Sequence, residues 1–337
     1  MIYYFRCRNK NNMRNSLVII LVFLGFVGKS QNFEYQVLFE GIGDNREYFN
    51  PLAMPQTILG SRAAFELGVE KDGHRIRGGL NYFYEFGSEI DYNPILPTLY
   101  YQFYSEKREF IFGAFSRRDK IDFPLAMLTD TLLYYRPNIE GFYMRQNWEW
   151  GHEIAFVDWV SRQTDTKREN FMAGFSGEIF FKNFFVQNYL LLFHDAGPAI
   201  DIPGDHIKDY FGFALQAGVR TNKDAKLNGY VKAGLLNSEY RERYVTDGFI
   251  TRNSFFAETA GRYKNYGIKS TLSSGAGHHF MYGDRFYRAK NYWRTDVIWY
   301  FINHERVKGS FNLSFHVIDW NDLDQQQQLS IIYIFGK

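Results

Sequence analysis

The stretch Arg306–Ile318, R-V-K-G-S-F-N-L-S-F-H-V-I, decides how the rest of the chain is read. Val307, Gly309, Phe311, Leu313, Phe315 and Val317 fall on one face of an extended strand, and Arg306, Lys308, Ser310, Asn312, Ser314 and His316 on the other. A single strand of this kind fits a soluble sandwich equally well. Repetition separates the two: extended segments recur along the chain to an expected total of sixteen, with fourteen to eighteen as the range, and almost no helical period interrupts them. The expectation is an all-β, antiparallel up-and-down transmembrane barrel.

Composition agrees. Phe, Tyr and Trp supply 34, 25 and 6 residues, yet after residue 30 no run of about 20 apolar residues exists from which a membrane helix could be built. A wall that faces hydrocarbon on one side and water on the other accounts for both facts. Residues 1–30 read as an export signal, with Arg14 before the apolar run S-L-V-I-I-L-V-F-L-G-F-V-G and Gly28 and Ser30 as small residues for cleavage before Gln31. Met13 serves equally well as the start. Residues 31–337 are then a single barrel domain. Without the five basic residues of the leader, 34 basic residues face 37 acidic ones, and this balance argues against a nucleic-acid partner. The only cysteine, Cys7, lies in the same leader, so no disulfide or thiolate metal site is expected.

Connections between the segments alternate between short and long. Short ones include Lys71–His74 and Asn303–Glu305; long ones include Ile42–Gly60, Arg118–Pro137, Asn237–Gly248, Gly277–Lys290 and Asp319–Gln326. Strict alternation fits an even barrel with both ends of the chain on the periplasmic side. The longest connection, Arg118–Pro137, either folds inward or forms a lid.

Sorting residues by face sets Ala63, Phe65, Leu67 and Val69 against Arg62, Glu66 and Glu70, and Leu227, Val231, Ala233 and Leu235 against Asn228, Tyr230 and Lys232. The segments at 152–161 and 184–194 do not sort. Charges on the inner face need water, because a dry core would charge several kcal/mol for each unpaired one. The lumen-facing candidates are Arg62, Glu66, Arg75, Arg77, Glu85, Arg145, Glu178, Lys232, Arg252, Glu258, Arg294, Asp296 and Lys308. Such mixed charges either select solutes or brace the wall. The six tryptophans lie near segment ends, as girdle residues do.

The last segment, L-S-I-I-Y-I-F-G-K, places Leu329, Ile331, Tyr333 and Phe335 on one outward face at the end of the chain. This resembles the C-terminal signal read by the barrel-assembly machinery, and the chain as a whole resembles the porin-type outer-membrane barrels of Gram-negative bacteria. Gly336 and Lys337 follow where such signals usually end on an aromatic residue. The resemblance implies an outer-membrane location, contact with membrane lipid, and passive passage of small hydrophilic solutes without enzymatic activity. A second copy of the chain is a further candidate partner.

Two alternatives stand beside the channel: a closed surface barrel for adhesion or assembly, and a lipid-modifying barrel enzyme. Outer-membrane phospholipases and lipid A deacylases resemble one another in a lipid-facing His-x-Ser pair, and none of the eight histidines here is followed by serine at that spacing. Ser274 with His278 or His279 is the nearest substitute. His278, His279 and Asp284, or Asp195, Asp201 and Asp205, are the residues that could ligate a metal, but neither spacing matches a known loop pattern. No catalytic residue, metal or cofactor is expected.

Overall fold

The computed structural model describes residues 32–89, 94–200, 202–222 and 225–336. The export leader expected at residues 1–30 lies outside the described residues. Sixteen strands follow in order: β1 Asn32–Glu47, β2 Gln56–Lys71, β3 His74–Glu85, β4 Ile95–Tyr104, β5 Arg108–Ser116, β6 Asn138–Trp148, β7 Gly151–Ser161 and β8 Asn170–Phe181. The second half comprises β9 Phe184–Asp195, β10 Lys208–Arg220, β11 Leu227–Glu242, β12 Ile250–Tyr263, β13 Tyr266–Gly275, β14 Asn291–Asn303, β15 Val307–Ile318 and β16 Asp322–Gly336.

Each strand pairs antiparallel with its sequence neighbour, and β1 closes on β16 from Gln36↔Gly336 to Glu47↔Gln325. Closure leaves no edge whose amides would face hydrocarbon unpaired. The protein is therefore an outer-membrane type of β-barrel, as the alternation predicts.

The tight end of the barrel holds turns such as Asp72–Gly73, where both residues have positive φ, 53° and 81°, as a two-residue hairpin requires. The opposite end carries the long connections, three of them shorter than expected. The long loop expected at Asp319–Gln326 is only the three residues 319–321, because the glutamine run belongs to β16. Glutamine reads as loop by composition, yet Gln326 and Gln328 point inward and bond Asp44 and Asp130 of the interior. The expected loops Ile42–Gly60 and Asn237–Gly248 also shrink, to 48–55 and 243–249.

Alternation places the apolar face outward. Leu99 and Val231 are 66% and 57% exposed, while Arg62 and Arg294 are 2% and 5% exposed. An apolar surface of this extent is stable only against hydrocarbon. Trp148 and Trp150 stack at the tight end, with ring centroids 5.1 Å apart, while Trp159, Trp293 and Trp320 are exposed toward the other end. Amphipathic rings prefer these two levels.

The interior differs from the water-filled lumen anticipated. Residues 117–137 and 276–290 fold into the barrel and pack Phe123, Met127, Leu132, Phe280 and Phe286 against Ile111, Phe115, Ile154, Phe156, Leu191 and Phe193 of the wall. Burying such side chains stabilises by about 1.5–3 kcal/mol each, and a sixteen-strand barrel is wide enough to admit both loops. This explains why β7 and β9 resist sorting by face. Their inward residues touch an apolar plug, so both of their faces are apolar.

Candidate functional site

The two inward loops are tied to each other through backbone bonds, Thr129 N–H to Tyr282 O and Asp284 N–H to Leu125 O, both 2.8 Å. Gly283 permits the approach, since a Cβ there would lie 2.0 Å from Ala126 O. Charged wall residues hold the plug in place. Arg62 donates to Asn81 Oδ1 at 2.7 Å and to the carbonyls of Leu133 and Tyr134, with Glu40 at 3.3 Å. Arg117 pairs with Asp158 and Arg118 with Glu40. Arg294 pairs with Asp296 at 2.9 Å and lies 3.9 Å from Asp284 of the second loop. Burial pushes the Asp284 carboxyl above the usual range, with Arg294 opposing the shift.

The remaining sequence candidates divide into groups. Arg75 and Arg77 clasp Glu34 at 2.6 and 2.9 Å, and Glu66 accepts from Tyr100 at 3.0 Å. Lys232 and Lys269 flank Glu258 at 3.2 and 3.0 Å, and Glu178 holds Arg220 at 2.8 Å. Glu85 accepts from Tyr135 of the inward loop at 3.1 Å. Arg252 donates to Ala276 O at 3.2 Å, and Arg145 to Asn147 at 2.8 Å. Lys308 sits exposed near the tight end, 3.1 Å from Asn303, apart from these networks. Sequence reasoning missed Glu34, Glu40, Asp44 and Arg46. They occupy even positions of β1 and share its inward face; Asp44 and Arg46 were hidden because Gly41 and Gly43 make the second half of that strand resemble a loop.

The proposed substitutes for a catalytic pair are not brought together. Ser274 donates to Asn291 from β13, whereas His278 lies buried in the plug with both ring nitrogens unpartnered among the described residues. Burial, then the neighbouring His279, lowers the His278 imidazole to about 3; burial, then Arg288 and Arg252, lowers that of His279 to about 4. Asp284 caps a turn by accepting from Phe286 N–H at 3.0 Å, and Arg168 binds both Asp195 and Asp205. Asp201 lies outside the described residues. Among the described residues no group of three or more His, Cys, Asp or Glu is placed to hold a metal ion.

A different histidine is placed for chemistry. His194 of β9 and Asp209 of β10 are direct register partners, as are Asp209 and Arg241 of β11. All three point outward, near the long-loop end. His194 Nδ1 lies 2.7 Å from Asp209 Oδ1, while Arg241 and Arg243 reach Asp209 Oδ2 at 2.6 and 3.2 Å. The imidazole leans on Phe171, centroids 5.3 Å apart, and Phe171 stacks on Trp159. Arg241 lies over Phe249 at 4.4 Å. The pair is invisible in the sequence because its members are fifteen residues apart and meet only through strand register.

A family model described as lipid A 3'-O-deacylase-type matches residues 29–335. No curated protein matches the chain. Among solved structures it is similar to Pseudomonas aeruginosa OpdK with vanillate, at 10% identity and TM-score 0.52, covering 91% of this chain and 99% of that one. It is also similar to a loop L8 deletion mutant of OmpT, an outer membrane protein of Vibrio cholerae, at 10% identity and TM-score 0.56, covering 91% and 100%. P. aeruginosa OccK5 (OpdH) matches at 8% identity and TM-score 0.56, covering 91% and 98%. At such identities these likenesses establish the fold alone. The family match overturns the expectation of a protein without enzymatic activity, since it points to an enzyme family.

Proposed function

The chain belongs to the lipid A 3'-O-deacylase-type family, and we propose that it hydrolyses an acyl ester of an outer-leaflet lipid on the outer wall of the barrel. The observation that carries this reading is the outward-facing His194–Asp209 pair at 2.7 Å, at the long-loop end of the wall near the exposed Trp159. Asp209 accepts from Nδ1–H and orients the ring, so Nε2 is the nitrogen that takes a proton from water. The resulting hydroxide attacks the ester carbonyl, and the imidazolium returns the proton to the departing alkoxide. Ester and water become carboxylic acid and alcohol. Arg243, 40% exposed along its side chain, is available to the anionic headgroup or the developing oxyanion. The packed interior also favours this reading over free passage of solutes, because the loops occupy the barrel at the long-loop end.

The test is incubation of the purified, folded barrel with lipid A and, separately, with phospholipid, followed by mass spectrometry for loss of an acyl group. His194→Ala and Asp209→Asn are expected to lower the rate by about 10²- to 10⁴-fold, the usual contribution of a general base. Unchanged hydrolysis in both variants, or none by the folded parent on either lipid, overturns the reading.

A further inference from the structure

Beneath the plug, on the tight-turn side, lies a polar chamber of about 550 Å³ that the lipid chemistry does not use. Its wall side presents Arg145 and His152, and its loop side presents Asp119 and Asp122. Most lumen cations of this half are committed: Lys120 to Glu109, Arg220 to Glu178, Lys232 and Lys269 to Glu258. Arg145 is not. Among the described residues its close polar partners are neutral, Asn147 Oδ1 at 2.8 Å from Nε and the Tyr143 hydroxyl, and it has no carboxylate within ion-pair distance, so its charge is left unpaired beside the chamber. Asp119 and Asp122 likewise form no ion pair among the described residues. Asp119 holds a left-handed backbone, φ 61°, a conformation that aspartate adopts more readily than most residues.

Uncommitted charges of both signs therefore line one cavity, and its volume falls within the range of small-molecule sites. A structural lattice would have paired them with one another, as it pairs Arg220 with Glu178 and Lys232 with Glu258 in the same half of the interior. We infer that the chamber binds a small zwitterionic solute entering from the periplasmic mouth, its carboxylate on Arg145 and its ammonium on Asp119 and Asp122. The guanidinium fork suits a carboxylate, which it can meet with two parallel N–H donors. Because the apolar loops lie above the chamber, this is a binding vestibule that closes toward the cell surface.

The inference stands apart from the proposed hydrolysis, since Arg145 faces the lumen and His194 faces lipid. Calorimetry on the detergent-solubilised barrel tests it with L-glutamine as the probe, alongside its methyl ester, which lacks the carboxylate, and N-acetyl-L-glutamine, which lacks the ammonium. The zwitterion is expected to bind at least tenfold more tightly than either. Arg145→Gln should weaken it at least tenfold, Arg145→Lys less, and the double variant Asp119→Asn with Asp122→Asn should remove the preference over N-acetyl-L-glutamine. Retention of the barrel's heat-modifiable gel mobility confirms that each variant is folded. Absence of glutamine binding by the parent, equal binding of the three probes, or full affinity in folded Arg145→Gln overturns the inference.

Discussion

Replacing Arg62 by alanine tests whether charge holds the plug inside the barrel. The guanidinium is almost fully buried, and its two bonds to the carbonyls of Leu133 and Tyr134 join the wall to the inward loop. Hydrogen bonds from a charged donor contribute about 1.5–3 kcal/mol each. Glu40 keeps Arg118 as a partner after the substitution, so the cost of a stranded carboxylate is largely avoided. The loss is then about 3 kcal/mol for the two loop bonds together, and at 1.4 kcal/mol per decade the ratio of packed to released loop falls roughly 150-fold. Two assays read this directly: the rate of limited proteolysis within residues 117–137, and conductance across a planar bilayer. The parent should be resistant and electrically quiet. Arg62→Ala should be cut about a hundredfold faster and show intermittent openings, with Arg62→Lys between them because ammonium lacks the fork that spans two carbonyls. If folded Arg62→Ala is as resistant and as quiet as the parent, apolar packing alone retains the loop and the electrostatic reasoning fails.

Acid should loosen the second loop. The folded pKa values of His278 and His279, about 3 and about 4, lie below the free imidazole value of 6.5, so the released loop binds protons more readily than the packed one. The packed state therefore keeps its full stability above pH 6.5 and loses up to about 1.4 kcal/mol per pH unit per histidine as the pH falls toward 4. Conductance or protease cleavage within residues 276–290 should rise over that window, and His278→Leu should flatten the rise; an unaltered profile in that variant contradicts the assignment. On the outer wall, Leu215 of β10 is exposed among apolar neighbours, and Leu215→Arg should destabilise the inserted barrel by about 2–4 kcal/mol. Denaturant titration in vesicles measures this, and an effect below about 0.5 kcal/mol would mean that hydrocarbon does not contact this face.

Much of the fold is legible from local pattern. The period of two in β2, β3, β8, β11 and β15 places the outward residues without reference to any other part of the chain, because pleat geometry is a property of the single strand. Reading stops where pattern and packing separate. β1 continues past Gly41 and Gly43 because its partners β2 and β16 supply the ladder that glycine's own propensity would not. The glutamines of β16 enter the sheet because their amides meet Asp44, Glu47 and Asp130. The apolar content of residues 121–135, high for a surface connection, was a signal that this loop would be buried.

Alternation repeated along most of the strands determined a wall with hydrocarbon outside and charge within, since covalent geometry alone sends neighbouring side chains to opposite faces. Tertiary structure decided what fills the interior and where chemistry can occur. Two long loops had to meet before a dry plug could form, and β9 and β10 had to pair in one particular register before His194 could lie against Asp209, because partners so placed are defined by register and not by spacing along the chain.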